Sequence, residues 1–353
     1  MSTALLTVLA ALSAGLAVLG VLPAVRRLAF RLEFLDRPAG YKQHASATPY
    51  LGGTAVLAGV LVAGGLGSSS SLRFLPLVGC AAVAWAVGTL DDRRNLGPGT
   101  RVLVEVALAT TLWTCGLGWD IPTWHGGFDL ALTIAWIVAL TNAFNLMDNM
   151  DGACSTVGAI SASGVGALAL MHGDAALAVL MFGLAGSCAA FLRWNLRRPS
   201  RIFLGDGGSM LVGFLVAGAA MSGPSSGSLG LGAVLVAALL VGLPVLDTSL
   251  VVFSRLRRGA PVLEGGRDHL THRLLPVVGS AQRVALTLAV TGGAIATVAV
   301  GVADAGRMTT LWTATGFLVA GICLIVGLEL RPSAPASHTP RPEPALVPAE
   351  PRA

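Results

Sequence analysis

Between Thr141 and Ser155 the chain reads TNAFNLMDNMDGACS, a polar stretch between apolar runs that contains no lysine or arginine. Asn142, Asn145, Asp148 and Asp151 recur at every third residue, which on a helix predicts a single polar stripe. Asp91 and Asp92 stand side by side in GTLDDRRNLGPGTR. Adjacent residues do not share a helix face, so the pair is expected at a helix end where both carboxylates reach one polar site. Asp206 lies in FLGDGGSM, whose Gly205, Gly207 and Gly208 let a ligand come close to the backbone. Lys42 and His44 come from YKQHASATPYLGG; Arg255, His269, His272 and Arg273 come from SRLRRGAPVLEGGRDHLTHRLL. His269 and His272 are three apart and are expected on one helical face. Carboxylates with water and phosphate oxygens suit Mg2+, with Mn2+ as a substitute. Cationic groups and histidines suit a diphosphate. Together they equip a site for phosphoryl transfer, where metal and cations stabilise charge around phosphorus.

The elements that must position these groups are membrane helices. Apolar residues make up 54% of the chain and charged residues 12%, against roughly 25% charged in soluble domains, and mean hydropathy is +0.76. Apolar runs approach the ~20 residues needed to cross the hydrocarbon. They predict an all-α, polytopic integral membrane protein of about 11 transmembrane helices. The spans are read at 3–25, 50–66, 74–90, 101–118, 129–144, 152–171, 175–192, 208–222, 229–253, 284–303 and 309–329. The fifth and eighth suggest bent or tilted helices. No basic residue precedes the first run and Arg26, Arg27 and Arg31 follow it, the reverse of a secretory signal. With the N-terminus outside, every basic residue except Arg73 and Arg307 falls on the inner face, as the positive-inside rule requires. All the candidate site residues fall on that face too. The net charge of +5 follows from these loops, so no nucleic acid partner is indicated. The five cysteines lie in or beside the spans without a CxxC pair and read as packing residues. One transferase-sized membrane domain is expected over 1–330. A proline-rich tail over 331–353, without apolar periodicity, is expected to be disordered.

Six stretches carry a family resemblance: DRPAGYKQHASATPYLGG, GTLDDRRN, NAFNLMDNMDG, FLGDGGSMLVGF, PVLDTSLVVFSRLRRG and RDHLTHRLL, in that order over residues 36–275. The chain resembles the polyprenyl-phosphate N-acetylhexosamine-1-phosphate transferases of glycosyltransferase family 4. The resemblance implies a multi-pass enzyme of the plasma membrane with its active site facing the cytoplasm. It implies Mg2+-dependent transfer of HexNAc-1-phosphate from a UDP-N-acetylhexosamine to polyprenyl phosphate, undecaprenyl or decaprenyl, with UMP released. That is a first membrane step of cell-envelope glycan synthesis, such as lipopolysaccharide, teichoic acid or arabinogalactan. By the same resemblance Asp206 corresponds to the metal-associated aspartate. Asp91 and Asp92 correspond to an aspartate pair tied to metal, diphosphate or deprotonation, and Asp91 is counted with Asp206 as a metal candidate. Asn145, Asp148 and Asp151 correspond to the nucleotide-side motif, with Asp151 also counted as catalytic. Lys42, His269 and His272 match positions near the substrate phosphates. His44, Arg255 and Arg273 are added to the substrate side from their place on the inner face. Besides the two substrates, membrane lipids are the expected partners, and homodimerisation is left open.

The RDHLTHRLL loop and the eleventh span point to the GlcNAc-1-phosphate branch. The alternatives are a phospho-MurNAc-pentapeptide transferase, a transporter with a polar midplane site, or a non-catalytic binder of lipid phosphate or nucleotide. The chain has Asn149 where the family usually has glycine, Thr271 where it has a further histidine, and Arg101 where lysine is common.

Overall fold

The computed structural model describes residues 2–36, 47–66, 69–121, 126–222, 230–262 and 266–330. It is built almost wholly of helices. These are α1 (Thr3–Arg31), α2 (Gly52–Gly65), α3 (Leu75–Arg94), α4 (Pro98–Thr114), α5 (Gly126–Met147), α6 (Ala153–Met171) and α7 (Ala175–Asn195). They continue as α8 (Gly205–Met221), α9 (Leu231–Leu240), α10 (Gly242–Arg258), α11 (Leu270–Val278), α12 (Ala281–Val302) and α13 (Arg307–Leu330). A two-residue antiparallel pair, β1 (Leu35–Asp36) with β2 (Thr48–Pro49), ties the end of α1 to the start of α2. Lys42, His44 and the tail 331–353 lie outside the described residues.

Each of the eleven apolar runs holds a helix, but they are not equal. Among the described residues seven helices are long and apolar enough to cross a membrane, or eight if α9 and α10 are one span. The run 229–253, read from sequence as one helix, is instead two helices bent by 77°. The break falls at Val241, and Pro244 lies in the first turn of α10, where its missing N–H has no intrahelical partner to lose. α5 is longer than expected and continuous over 22 residues. α2 and α8, at 14 and 17 residues, are shorter than the ~20 a span needs.

The shortness of α8 goes with its position. From Gly207 to Ala219 every residue of α8 is buried, and α3, α5 and α2 pack around it. α7 lies between α1, α6 and α2, while α13 is peripheral, with only Thr310 and Glu329 buried. Between helices in lipid there is little hydrophobic drive, so close packing of small residues carries association. Two glycines show this where α8 begins. A Cβ on Gly88 of α3 would stand 2.5 Å from the Asp206 carbonyl oxygen, and one on Gly53 of α2 would meet the Gly208 backbone. α2 is also tethered by backbone bonds from Gly52 N–H to Phe203 O (3.0 Å) and Gly53 N–H to Leu204 O (2.9 Å). The start of α8 is thus clamped by two neighbouring helices.

Gly88→Val is expected to cost roughly 1–3 kcal/mol of stability through overpacking, read as a lower unfolding temperature in detergent. Gly79→Val, in the same helix but with open space at its Cβ, is expected to stay within about 0.5 kcal/mol of the parent.

Candidate active site

The clamp places carboxylates at the first turn of α8. Gly205 has a φ of +77°, a left-handed conformation that favours glycine, and it turns the chain into the helix. The exposed amides of this turn carry the positive end of the helix dipole. Asp92, in the last turn of α3, caps them: its Oδ1 accepts the Asp206 N–H at 3.0 Å and its Oδ2 the Gly207 N–H at 3.3 Å. Asp148 lies near enough for the Gly205 N–H to favour its charged form.

Asp206 then faces a polar cluster. Its Oδ1 accepts Asn145 Nδ2 at 2.8 Å, and Asn145 also donates to Ser209 Oγ at 3.0 Å. Its Oδ2 lies 3.6 Å from an Arg101 guanidinium nitrogen. The same nitrogen sits 2.6 Å from Asp91 Oδ2, while Asp91 Oδ1 accepts the Leu96 N–H. The Asp206 side chain is 36% exposed and that of Asp91 6%. Asp206 is therefore more open to an incoming ligand than Asp91, which is committed to Arg101 and the turn after α3. Behind them Arg101 donates to Asn142 Oδ1 at 3.5 Å, and Asn142 donates to Glu105 Oε2 at 2.6 Å.

The expected polar stripe is only half helical. α5 ends at Met147, so Asn142 and Asn145 lie on the helix while Asp148 and Asp151 belong to the turn beyond it. The turn takes the four side chains to different partners. Asp148 is half-buried, and burial, then Asp206, Asp92 and Asp151, pushes its carboxyl well above the usual carboxylate range. Asp151 Oδ1 accepts from Asn195 Nδ2 at 3.3 Å, and Asn195 Oδ1 accepts the Gly152 N–H at 2.6 Å. Asp151 thus pins the turn to the end of α7.

A second cluster covers this turn. His269 occupies the N-cap position of α11 and its Nδ1 lies 2.8 Å from Asp247 Oδ2, while Asp247 Oδ1 accepts the Leu270 N–H at 2.6 Å. The rings of His269 and His272 are 6.3 Å apart. His272 is half-buried, and burial, then His269 and Arg267, lowers its pKa. Thr271 donates to Asn149 Oδ1. Two of the positions that set this chain apart in sequence therefore contact each other, and the third, Arg101, holds Asp91 and Asp206.

Arg255 and Arg273 are engaged with the protein itself. Arg255 donates to Asp268 (3.0 Å) and to Val262 O (2.7 Å). Burial works against ionising Asp268, yet the bonds from Arg255 and Arg258 hold its carboxyl below the usual range. Arg273 donates to Ser254 Oγ at 3.1 Å, to Leu328 O at 3.2 Å and to Glu329. It fastens α11 to the end of α13. Arg101, Glu105, Asn195 and Asp247 were not among the sequence-derived site residues. Glu105 and Asp247 had a signal, a carboxylate inside an apolar run, which is costly unless partnered. Asn195 had none.

Residues 74–223 match the model of glycosyl transferase family 4. The chain is 33% identical to the decaprenyl-phosphate N-acetylglucosaminephosphotransferase of Mycobacterium leprae, covering 85% of this chain and 83% of that one. It is 33% identical to the Mycobacterium tuberculosis protein of the same name (77% and 76% covered). It is 26% identical to the undecaprenyl-phosphate alpha-N-acetylglucosaminyl 1-phosphate transferase of Escherichia coli O157:H7 (85% and 86%). The chain belongs to glycosyl transferase family 4. As a member of that family it is an enzyme, a membrane-embedded transferase. The interval matched to the family runs from the end of the turn before α3 through α8. It contains Asp91, Asp92, Asn145, Asp148, Asp151 and Asp206, so the carboxylate cluster sits wholly inside it. The histidine cluster lies beyond it.

Asp92 has two separable roles, a cap and a charge. Asp92→Ala is expected to lose about 0.5–2 kcal/mol of stability with the cap. Asp92→Asn, which still offers an acceptor oxygen, is expected to keep most of it. Unfolding temperatures of the two variants in detergent check this.

Proposed function

We propose that the enzyme transfers GlcNAc-1-phosphate from UDP-GlcNAc to polyprenyl phosphate, releasing UMP, with Mg2+ as cofactor and with its site on the cytoplasmic face of the plasma membrane. The observation that carries this reading is the convergence on Asp206: three other carboxylates, two asparagines and Arg101 gather around the start of α8. The names of the related proteins supply the acceptor and the sugar. The distribution of basic residues supplies the orientation.

Among the described residues no group of three or more His, Cys, Asp and Glu side chains forms a ready metal cage. That agrees with a hard ion held through one or two carboxylates and completed by water and substrate phosphates. Asp206, the exposed carboxylate, and Asp148 would hold it. Asp91, expected from sequence to share that role, has both oxygens engaged elsewhere. Bound there, Mg2+ supplies charge neutralisation to the diphosphate.

The rest of the work falls to the chain. In the reaction an oxygen of the lipid phosphate forms a bond to the β-phosphorus, and the bond from that phosphorus to the bridging oxygen breaks, so UMP leaves with the electron pair. A phosphate monoester has its second pKa near 6, so the nucleophile is largely dianionic at pH 7 and needs no protein base. Positioning and charge stabilisation then dominate. Arg101, held by Asp91, directs a fixed guanidinium toward the carboxylate cluster. His272, half-buried and with its pKa lowered by burial, stands on the histidine side of the site beside His269.

UMP release and labelled lipid product, followed in membranes given polyprenyl phosphate and UDP-GlcNAc, test the reading. Asp206→Asn is expected to lower turnover by at least about 100-fold, and chelation with EDTA to stop the parent enzyme until Mg2+ is restored. Near-parental turnover by Asp206→Asn would remove Asp206 from the metal site.

A further inference from the structure

A second polar site is lined by residues other than those of the carboxylate cluster. Where α1 ends, the loop from α7 to α8 folds against it and leaves a cavity of about 590 Å3. Arg26, Phe30, Arg197, Arg198, Ser200 and Arg201 line it. Four arginines therefore share one hollow. Among the described residues none of the four forms an ion pair, and Arg197 and Arg198 make no hydrogen bond. The Arg197 guanidinium is held below its ordinary pKa by Arg201 and Arg193, a sign of uncompensated like charge.

The walls are nonetheless ordered. Arg26 Nε donates to the Arg201 carbonyl at 3.3 Å, and the Arg201 N–H donates to Trp194 O at 3.2 Å. Arg26 lies over the Phe30 ring at 5.0 Å and Arg201 over the Trp194 ring at 5.5 Å. Flat guanidinium groups fixed in this way present donors to a tetrahedral anion in a set geometry.

The surroundings narrow the class of anion. The hollow opens at the end of α1, whose outward face is apolar: Leu12, Leu16, Leu28 and Phe30 are all exposed. A ligand with a phosphate at one end and hydrocarbon at the other fits both surfaces at once. Basic pockets beside membrane helices on the side where positive charge collects take anionic headgroups in this manner.

We infer that this arginine-lined hollow binds the phosphate headgroup of an anionic membrane phospholipid, with the acyl chains laid along the exposed face of α1. Its lining residues are not those of the carboxylate cluster, and its test needs no turnover.

The full chain, purified in neutral detergent, is titrated with short-chain phosphatidylglycerol while its unfolding temperature is followed. Binding to the folded state raises that temperature. Short-chain phosphatidylcholine and inorganic phosphate at the same concentrations serve as the other arms. Phosphatidylglycerol is expected to give a saturable rise, and phosphatidylcholine none. The double variant Arg197→Gln/Arg198→Gln is expected to bind at least tenfold more weakly, about 1.4 kcal/mol, with its unliganded unfolding temperature unchanged. Arg307→Gln, far along the sequence in the peripheral α13, is expected to bind as the parent does. Should the double variant fold poorly, Arg198→Gln alone, an exposed and unbonded side chain, is read the same way. Equal affinity in parent and double variant would overturn the site. An equal rise with phosphatidylcholine would overturn the charge selectivity. A full rise with inorganic phosphate would overturn the lipid as its source.

Discussion

Four carboxylates, Asp91, Asp92, Asp148 and Asp206, crowd into one corner of the helix bundle, and Arg101 is the guanidinium bonded to them among the described residues. Like charges at a membrane boundary repel strongly, because the apolar surroundings screen them less than water does. The structure relieves part of the strain locally. Asp92 accepts two amides at the start of α8, and Arg101 bridges Asp91 to Asp206. What is left is Asp206, half-buried and reachable from outside, beside Asp148, whose carboxyl burial and the neighbouring carboxylates push upward. Such a set suits a divalent cation.

Much of the bundle serves that corner. α8 is short and enclosed because its N-terminus must lie inside the protein, and only helices bearing glycines at Gly53 and Gly88 can approach it closely enough. The bend between α9 and α10 places Asp247 under His269, and α11 then covers the turn that carries Asp148. Arg273 and Arg255 brace this cover through α13 and Asp268. Their donors hold the protein together, which leaves His272 as the more accessible imidazole of the pair.

The polar clusters and the apolar runs could be read from residue types alone, since both are properties of composition and spacing. The gathering of Asp91, Asp92, Asn145, Asp148 and Asp206 followed from placing their stretches on one face. What spacing could not tell was where helices stop. The i, i+3 recurrence continues past Met147 although the helix does not, because Gly152 and the bond to Asn195 turn the chain there. Nor does spacing reveal partners across the bundle. Asp91 is bonded to Arg101 and Arg273 to Glu329, pairings that spacing does not announce. Such roles depend on neighbours distant in sequence. Two buried acids, Glu105 and Asp247, were legible in principle, since a carboxylate in an apolar run requires a partner.

If the carboxylate corner is completed by a divalent ion, that ion should be countable. Mn2+ binding to the purified full chain with UDP-GlcNAc present, followed by electron paramagnetic resonance, measures it directly. One saturable Mn2+ per chain, displaced by Mg2+ and lost in Asp206→Asn, is the result predicted. No saturable binding, or binding undiminished by Asp206→Asn, would contradict the account.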